Sequence, residues 1–445
     1  MNRTLTDFVN LIASRRALVG IVGLGYVGLP LSMAFVGTGF CVLGFDTDAE
    51  HVAAIQSGQS YLSTVVSEKV ESARKDDRFA ATLDMGRLGE PDAICVCVPT
   101  PLTPSRDPDL SFVTSSALSI AATLRRGQLV SLESSTYPGT TREVMLPALQ
   151  RSGLRCGEDF FLAYSPERED PGNPDFNASN TPRLVAGLDP ASHAAACALY
   201  ETVAVSVVSV SSPEVAEAAK VVENSYRAVN IAFVNELKVI FDRMGIDVWE
   251  VLAAAATKPF GFGSRANKTL FLPGPGIGGH CIPLDPFYLA WRARQFGVPT
   301  RFIELAGEIN QAMPSYVVQR IGEALTREGK ALRRSKVLIL GVAYKPDIND
   351  VRESAAIRII EQLVEAGAAV SYNDPHVPAL PHMRAHRLNM SSVPLTEAVL
   401  RAQDAVVIVT DHSTYDFGWI VAHSRLVVDT RNACVGADSG RIIKA

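Results

Sequence analysis

Hydrophobic residues in this chain form short continuous runs in place of the alternating pattern of half-exposed strands. In the first half, helix-like segments separate five such runs, at residues 17–22, 41–46, 93–98, 128–132 and 160–164. Continuous apolar runs of this length are typical of strands buried on both faces of a parallel sheet. Two further runs, at 184–187 and 203–210, extend the pattern. It predicts a doubly wound α/β domain over residues 1–211.

The last third of the chain repeats this pattern. Strand-like runs recur at 336–341, 369–374, 404–410 and 426–431, with a helix over 353–366 after the first of them. Such alternation predicts a second Rossmann-like parallel sheet, over residues 327–445. Its first turn lacks the glycine pattern of the first domain, so we expect it to hold a different nucleotide. Lys345, Arg352 and Arg431 suit a phosphate there.

A long helix is predicted between the two sheets. Ser212 and Pro213 are favourable residues at a helix start, and Gly245 after Met244 is a favourable stop. About thirty residues span roughly 45 Å, which suits a helix that bridges domains and pairs with a second subunit. Further helices are expected at 248–256, 287–296 and 303–325. Residues 212–326 are thus predicted to form a central helical and dimerisation domain.

Composition and charge exclude several classes of protein. The 445 residues are 47% hydrophobic and 20% charged, with a net charge of −5, which gives no basic field for nucleic acid or an anionic membrane. Residues 17–45 carry no charged side chain, but their seven glycines and one proline favour strand, turn, helix and strand over a membrane span. No signal peptide is expected at the N-terminus.

The cysteine pattern predicts a cytoplasmic location and gives no indication of a metal centre. Seven are scattered along the chain without the spacing of metal ligands, and several lie within apolar runs. This usage is typical of the reducing cytoplasm, and we expect no metal site.

A dinucleotide fingerprint follows the first strand-like run. Gly23, Gly25 and Gly28 form G-x-G-x-x-G between a strand and a helix, and Asp46 ends the next strand. In such a turn the first glycine allows the tight bend, the second lets the pyrophosphate approach the backbone, and the third allows close packing of helix on strand. An acid at the position of Asp46 binds ribose hydroxyls and repels a 2′-phosphate, so the predicted cofactor is NAD.

Residues 273–286 contain four glycines and four prolines, which predicts a shaped loop. It carries Cys281, with Asp285 four residues later. This pair is consistent with a nucleophile beside a proton-handling carboxylate. The alternative is that Cys281 is a small buried hydrophobe.

Other polar candidates lie where a ligand is expected. Thr100, Thr136 and Glu167 follow predicted strands, whose carboxyl ends face the ligand in open parallel sheets. Lys220 and Asn224 are four residues apart on the long helix and therefore share a face, where they could stabilise an oxyanion. The alternatives are turn or cap residues for the first three and a solvated helix face for the last two.

Several motifs together resemble the family of UDP-sugar 6-dehydrogenases over essentially the whole chain. They are G-x-G-Y-V-G-L-P at 23–30, S-S-T-x-P at 134–138, S-P-E at 165–167, Lys220 with Asn224, G-G-x-C at 278–281 with Asp285, and Lys345 followed by R-E-S at 352–354. The resemblance implies an α/β fold with two Rossmann-like domains joined by a long central helix, and a homodimer or higher homo-oligomer that binds NAD and a UDP-sugar.

The resemblance also implies a role for each residue. Cys281 would be the nucleophile, Lys220 and Asn224 the oxyanion stabilisers, Asp285 the proton handler, and Thr136 and Glu167 the residues that position water. Implied NAD contacts are Gly23, Leu24, Gly25, Tyr26, Val27, Gly28, Asp46, Pro99, Thr100, Ser135, Thr136 and Arg352. Implied substrate contacts are Glu167, Arg168, Lys220, Asn224, Arg265, Gly278, Gly279, Lys345 and Arg431, with Arg265 reaching across subunits.

Within the family, the chain is most similar to the UDP-N-acetylglucosamine 6-dehydrogenases. Leu284 stands where the UDP-glucose enzymes tend to have lysine, and Pro171 where they tend to have a second glutamate. UDP-glucose and UDP-N-acetylmannosamine remain alternative substrates. A two-electron hydroxyacid dehydrogenase is a second alternative, since that class also has an N-terminal Rossmann domain and a Lys-x-x-x-Asn helix.

Overall fold

The predicted parallel strands form two sheets in the computed structural model. It describes residues 3–62, 64–168, 180–258, 262–263, 270–279, 281–381, 383, 388–437 and 439–445. Contacts divide the chain into two compact units. One comprises Met1–Glu223 with Phe287–Pro299, and the other comprises Asn224–Pro286 with Thr300–Ala445. The three domain boundaries predicted above remain a prediction.

The first unit contains an eight-stranded sheet in the order β3-β2-β1-β4-β5-β6-β7-β8, in which all neighbours are parallel except β6 and β7. Its strands are β1 (Leu18–Val22), β2 (Cys41–Phe45), β3 (Phe79–Thr82), β4 (Ala93–Val96), β5 (Leu129–Leu132), β6 (Phe161–Tyr164), β7 (Arg183–Gly187) and β8 (Val207–Ser209). Its helices before the long central one are α1 (Arg3–Ala13), α2 (Gly28–Gly37), α3 (Ala49–Gln56), α4 (Ser67–Lys75), α5 (Ser111–Thr123), α6 (Leu146–Leu149) and α7 (Pro190–Tyr200).

The central strands are buried on both faces, as their apolar runs predict. Ile94 and Cys95 are adjacent in β4 yet belong to different hydrophobic clusters, one on each side of the sheet. Two details of this sheet differ from the prediction. The strand β3 was missed because its sequence is two alanines between Phe79 and Thr82, with no apolar run. The run at 203–210 forms strand only over Val207–Ser209, where it pairs with β7.

The long helix α8 (Pro213–Met244) has the predicted bounds. The backbone N–H of Val215 donates to Ser212 Oγ at 3.4 Å, and Gly245 adopts φ +72° directly after the last turn. The next helices are α9 (Val248–Ala255), α10 (Cys281–Gln295) and α11 (Arg301–Arg327). No helix among the described residues is long and apolar enough to cross a membrane.

The second half of the predicted loop at 273–286 is helical, so that prediction is wrong there. Helix α10 begins at Cys281, six residues before the predicted start. Pro283 is tolerated because the first N–H groups of a helix have no intrahelical partner, and Pro286 removes a single hydrogen bond early in the helix. The candidate nucleophile is therefore the first residue of a helix, where the helix dipole favours negative charge.

The second unit contains a five-stranded parallel sheet in the order β10-β9-β11-β12-β13. Its strands are β9 (Lys336–Leu340), β10 (Ala369–Asn373), β11 (Ala405–Ile408), β12 (Val427–Asp429) and β13 (Ile442–Lys444), and its helices are α12 (Ala355–Glu365), α13 (Glu397–Arg401) and α14 (Phe417–His423). The edge strand β13 was not predicted, because its two isoleucines between Arg441 and Lys444 are too few to give an apolar run. The predicted second Rossmann-like sheet is confirmed.

Candidate active site

The glycine-rich turn after β1 has three distinct environments. A Cβ atom at Gly23, which has φ +89°, would lie 2.7 Å from the carbonyl oxygen of Cys97, and one at Gly28 would lie 1.8 Å from that of Gly23. A Cβ at Gly25 would meet nothing within 4 Å. Gly23 and Gly28 are thus required by the packing of the protein itself. Gly25 leaves open space beside the backbone, which fits the approach of a pyrophosphate.

Asp46 shapes the same turn from the end of β2. Its carboxylate accepts from the backbone N–H groups of Leu24 at 2.8 Å and Asp48 at 2.9 Å. His51 lies 3.5 Å from Asp46 and stacks on Tyr61, whose hydroxyl donates to the carbonyl of Leu24. The side chain of Leu24 is buried in the core, so the predicted cofactor contact would have to be made by its backbone and stays a prediction. Tyr61 and His51 were missed, since neither belongs to the fingerprint.

Replacement of Asp46 by alanine is expected to weaken the preference for NAD over NADP. The carboxylate repels a 2′-phosphate by an energy on the order of 1–2 kcal/mol, which corresponds to about tenfold in preference. The measurement is kcat/KM with each cofactor. Asp48→Ala is the matched control, because it removes a neighbouring acid but leaves Asp46 in place; an unchanged preference in Asp46→Ala contradicts the assignment.

The loops after β4 and β5 bring three predicted cofactor residues together. Thr100 Oγ1 donates to the carbonyl of Ser135 at 2.8 Å, next to Thr136. Tyr288 of α10 donates its hydroxyl to the carbonyl of Thr100 and was not predicted. Thr136 is fully buried, and its Oγ1 has no hydrogen-bond partner within the described part of the chain. A buried hydroxyl of this kind is fit to bind a ligand or water. Pro99 precedes this group and is exposed.

Glu167 follows β6 in the same unit. Its Oε1 accepts from the backbone N–H of Arg168 at 2.6 Å, and its Oε2 lies 3.5 Å from Nη1 of Arg183. The guanidinium of Arg168 pairs with Glu223 at 2.6 Å and also donates to the carbonyl of Pro182. Glu167 is therefore fixed through both oxygens.

Lys220 and Asn224 lie four residues apart on α8 and are both buried, with exposures of 7% and 6%. The alternative of a solvated helix face is wrong. One turn before Lys220, the buried carboxylate of Glu217 accepts from the backbone N–H groups of Gly139 and Thr141 and from the hydroxyl of Thr141. Glu217 thus fastens the loop that follows Thr136 to the helix that carries Lys220. It was missed, although an acid on an otherwise apolar helix face was a signal for it.

Burial raises the pKa of Glu217 to about 7 from an ordinary 4.5, against the lowering effect of its three donors. Between these two values the folded chain keeps the proton while the unfolded chain loses it. The free energy of unfolding is expected to fall by about 3 kcal/mol from this group as the pH rises through that window. Urea unfolding at several pH values checks it: Glu217→Gln should lack this part of the slope, and equal slopes in both proteins contradict the assignment.

In the second unit, Asp285 is fully buried and accepts from Asn224 Nδ2 at 2.6 Å. Cys281 precedes Asp285 by one turn of α10 and is half-buried, whereas Cys95, Cys97 and Cys434 are buried. The alternative of a fully buried Cys281 is wrong. The amide of Asn224 therefore touches the carboxylate that follows the candidate nucleophile.

The glycines before Cys281 pack against the turn that follows β9. A Cβ at Gly278 would lie 2.6 Å from Cβ of Tyr344, and one at Gly279, which has φ +82°, would lie 3.0 Å from the ring of Tyr344. The N–H of Gly279 donates to the carbonyl of Arg352 at 3.0 Å. The loop glycines, predicted to approach a ligand, thus also allow close packing on this turn.

A small pocket lies beside this contact. Its lining includes Gly276, Gly278, Tyr344, Ser354 and Arg431. Arg431 Nε donates to the carbonyl of Val409 at 2.8 Å, which directs the guanidinium. Lys345 is half-buried next to Tyr344. The arrangement brings the Cys281 loop and two predicted substrate cations into one region of this unit.

Family models match the chain in three consecutive parts. Residues 17–204 match the NAD-binding domain of the UDP-glucose/GDP-mannose dehydrogenase family, 214–312 its central domain, and 338–435 its UDP-binding domain. This chain belongs to the UDP-glucose/GDP-mannose dehydrogenase family. NAD is accordingly its cofactor, and the open face of Gly25 fits that cofactor.

Individual relatives differ in their substrates. The chain is 34% identical over 399 residues to a UDP-N-acetyl-D-glucosamine 6-dehydrogenase from Pseudomonas aeruginosa, covering 89% of this chain and 91% of the relative. It is 33% identical to a UDP-N-acetyl-D-mannosamine dehydrogenase from Salmonella typhi, covering 93% and 98%. A UDP-D-ManNAc dehydrogenase structure from Pyrococcus horikoshii matches with a TM-score of 0.84 at 29% identity, covering 96% and 99%. Family membership is thus established at the level of nucleotide-sugar dehydrogenases.

Arg265 and Arg352 are the remaining predicted contact residues. Arg265 lies outside the described residues. Arg352 directs its guanidinium to the carboxylate of Asp350, with contacts of 2.6–3.0 Å, and its predicted role toward NAD remains a prediction.

Within the described residues, Asp347, His376 and His412 offer atoms close enough together for a metal ion. Nδ1 of His412 accepts from the N–H of Asp347 at 3.0 Å, and its Nε2 lies 3.1 Å from Asp374. Asp347 accepts from Ser413 through the same oxygen that faces the histidines. These hydrogen bonds explain the cluster as a link between the loops that follow β9, β10 and β11.

Proposed function

We propose that this protein catalyses the NAD-dependent four-electron oxidation of the C6 hydroxymethyl group of a UDP-N-acetylhexosamine to the uronate, with UDP-N-acetylglucosamine as the substrate. The observation that carries the proposal is the half-buried Cys281 at the start of α10, one turn before an Asp285 that is bonded to Asn224. A thiol at a helix N-terminus with a carboxylate and an amide beside it suits covalent capture of a carbonyl.

NAD, when bound, accepts a hydride in each of the two oxidation steps. Between them, the thiolate of Cys281 adds to the aldehyde carbon and forms a thiohemiacetal, whose oxidation leaves a thioester. Lys220 and Asn224 stabilise the oxyanion, and Asp285 exchanges the proton. Water positioned by Thr136 and Glu167 then releases the uronate and the thiol. Capture of the aldehyde explains how four electrons are removed without release of a reactive intermediate.

The choice of an N-acetylated sugar is supported by two residues and by the relatives. Leu284 and Pro171 differ from the residues that UDP-glucose enzymes tend to have at these positions. The two curated relatives described above are named for UDP-N-acetyl-D-glucosamine and UDP-N-acetyl-D-mannosamine. UDP-N-acetylmannosamine and UDP-glucose are the alternatives for the same chemistry.

A substrate screen with counting of NADH tests the proposal. UDP-glucose, UDP-N-acetylglucosamine, UDP-N-acetylmannosamine and UDP-N-acetylgalactosamine are each incubated in limiting amount with excess NAD. The expected result is two NADH per UDP-N-acetylglucosamine consumed, with a uronate product. One NADH per sugar contradicts the thioester mechanism and supports two-electron chemistry. Two NADH from UDP-glucose in preference keeps the chemistry and overturns the substrate.

We also propose that α8 pairs with a second copy of the chain. Its outward face carries six exposed apolar side chains at intervals of four and seven, which is a single helical stripe. They are Val215, Val222, Tyr226, Phe233, Ile240 and Met244, each at least 44% exposed. A contiguous exposed apolar surface of this kind marks a protein interface.

The double variant Val222→Asp and Phe233→Asp is expected to be monomeric, because two buried, unpaired carboxylates oppose association. Sedimentation velocity of wild type and variant at equal concentration measures this. Val364→Asp is the control, as it places a charge on a side chain of α12 that is 49% exposed and outside the stripe. A double variant with the sedimentation coefficient of the wild type overturns the proposed interface.

A further inference from the structure

Glu167 is connected to a buried ionic cluster that lies behind it in the first unit. We call this cluster the Arg183 network; it consists of Glu133, Arg183 and Tyr200. Arg183 donates through Nη2 to Glu133, and its Nη1 lies 3.5 Å from Oε2 of Glu167. Tyr200 donates its hydroxyl to Glu133, and its ring lies 4.7 Å under the guanidinium carbon. Arg183 is 6% exposed and Glu133 is 1% exposed, so the charges pair out of water.

The sheet register explains why these residues meet. In the antiparallel pair of β6 and β7, Ala163 is opposite Gly187 and Tyr164 is opposite Ala186. If this register is continued beyond the end of β6, Glu167 lies opposite Arg183, the first residue of β7. Glu133 follows β5, which runs parallel to β6 on its other side. The one antiparallel neighbour pair of this sheet thus brings a cation from the start of β7 to the carboxyl ends of β5 and β6.

The planar guanidinium of Arg183 donates hydrogen bonds in three directions. In addition to the two carboxylates, its Nε donates to Ser165 Oγ at 2.9 Å. Because guanidinium is planar and its donors diverge, fixing two of them fixes the third. Lysine would keep the charge but could not hold these three acceptors in one plane. Arg183 therefore dictates where Oε2 of Glu167 can point.

We propose that Arg183 is a positioning residue that holds Glu167 in the orientation required for hydrolysis of the Cys281 thioester. The inference rests on the proposed function. In that step the oxygen of water bonds to the acyl carbon, the carbon–sulfur bond breaks, and a proton from the water passes by way of Glu167 to the departing thiolate. The two hydride transfers precede this step and do not involve Glu167. Replacement of Arg183 by a residue without this planar geometry is expected to slow hydrolysis of the thioester and to leave the two hydride transfers unchanged.

The main variant is Arg183→Lys, studied in the full-length protein with NAD and UDP-N-acetylglucosamine. Rapid mixing measures the first-turnover burst of NADH, steady-state assays give kcat, and intact-protein mass spectrometry detects an acyl adduct on Cys281. The expected result is a retained burst of two NADH per active site, a kcat lowered at least about tenfold, and accumulated adduct. Arg155→Lys is the matched control, because Arg155 is exposed and pairs with Glu158, three residues along the chain.

A second variant and a double mutant separate positioning from a structural role. Ser165→Ala removes only the contact to Nε and should give the same selective slowing to a smaller degree, which keeps the test decisive if Arg183→Lys does not fold. In a Glu167→Gln background, Arg183→Lys should reduce kcat little further. Equal loss of burst and kcat without adduct, or additive losses in the double mutant, overturns the inference. A wild-type enzyme that forms only one NADH per sugar refutes the proposed function instead.

Discussion

Cys281→Ser is expected to lower steady-state formation of the uronate by at least about a thousandfold. A serine hydroxyl is far less ionised than a thiol at neutral pH and is the weaker nucleophile, so the aldehyde is not captured. The measurement is NADH formation under saturating NAD and sugar, with identification of the product. Oxidation is expected to stop after one hydride transfer, because the second requires the tetrahedral adduct.

The matched control is Cys41→Ser. Cys41 is an exposed thiol at the first position of β2, so its replacement removes a reactive group without disturbing a core. Its turnover should equal that of the wild type. If Cys281→Ser retains full turnover, Cys281 is not the nucleophile and the thioester route is wrong.

Gly28→Ala is expected to destabilise the NAD-binding domain by about 2–4 kcal/mol. The added Cβ would lie 1.8 Å from the carbonyl oxygen of Gly23, a backbone atom that cannot move without opening the turn. Helix α2 would have to retreat from β1, and the turn geometry that NAD requires would be lost with it. Thermal unfolding and NADH titration by fluorescence both report the change.

Gly25→Ala serves as the comparison within the same motif. A Cβ at Gly25 meets nothing within 4 Å, and its φ is not positive, so folding stability should change little. NADH affinity should nevertheless fall by about tenfold or more, because the methyl group takes the space of the pyrophosphate. A Gly25→Ala protein that binds NADH as tightly as the wild type would show that the pyrophosphate does not approach there. A Gly28→Ala protein of unchanged melting temperature would show that the turn is not constrained by packing.

The sequence was informative where local geometry alone decides the arrangement. Gly23, Gly25 and Gly28 could be assigned separate roles because a tight turn, a ligand approach and a close helix contact each exclude a side chain for a different reason. Lys220 and Asn224 could be placed on one face because helical spacing is fixed. The start of α10 could not be predicted, because prolines are compatible with the first turn of a helix as well as with a loop.

The contact partners of the residues that hold the site together were not visible in the sequence. Glu217 meets residues 139–141, about seventy-six positions before it, and Arg183 meets Glu133, fifty positions before it. Tyr288 reaches Thr100 across 188 positions. Such contacts depend on strand order and register, which no local pattern encodes.

The amino-acid sequence by itself determined the strands with long apolar runs, the long central helix, the dinucleotide turn and several of the candidate polar side chains, because these follow from hydrophobic periodicity and from backbone constraints within a few residues. The tertiary structure alone decided which polar groups are buried against one another. Pairing of Asn224 with Asp285, and of Arg183 with Glu133, requires two distant segments to leave water together, and that free energy exists only once the sheets and helices have packed.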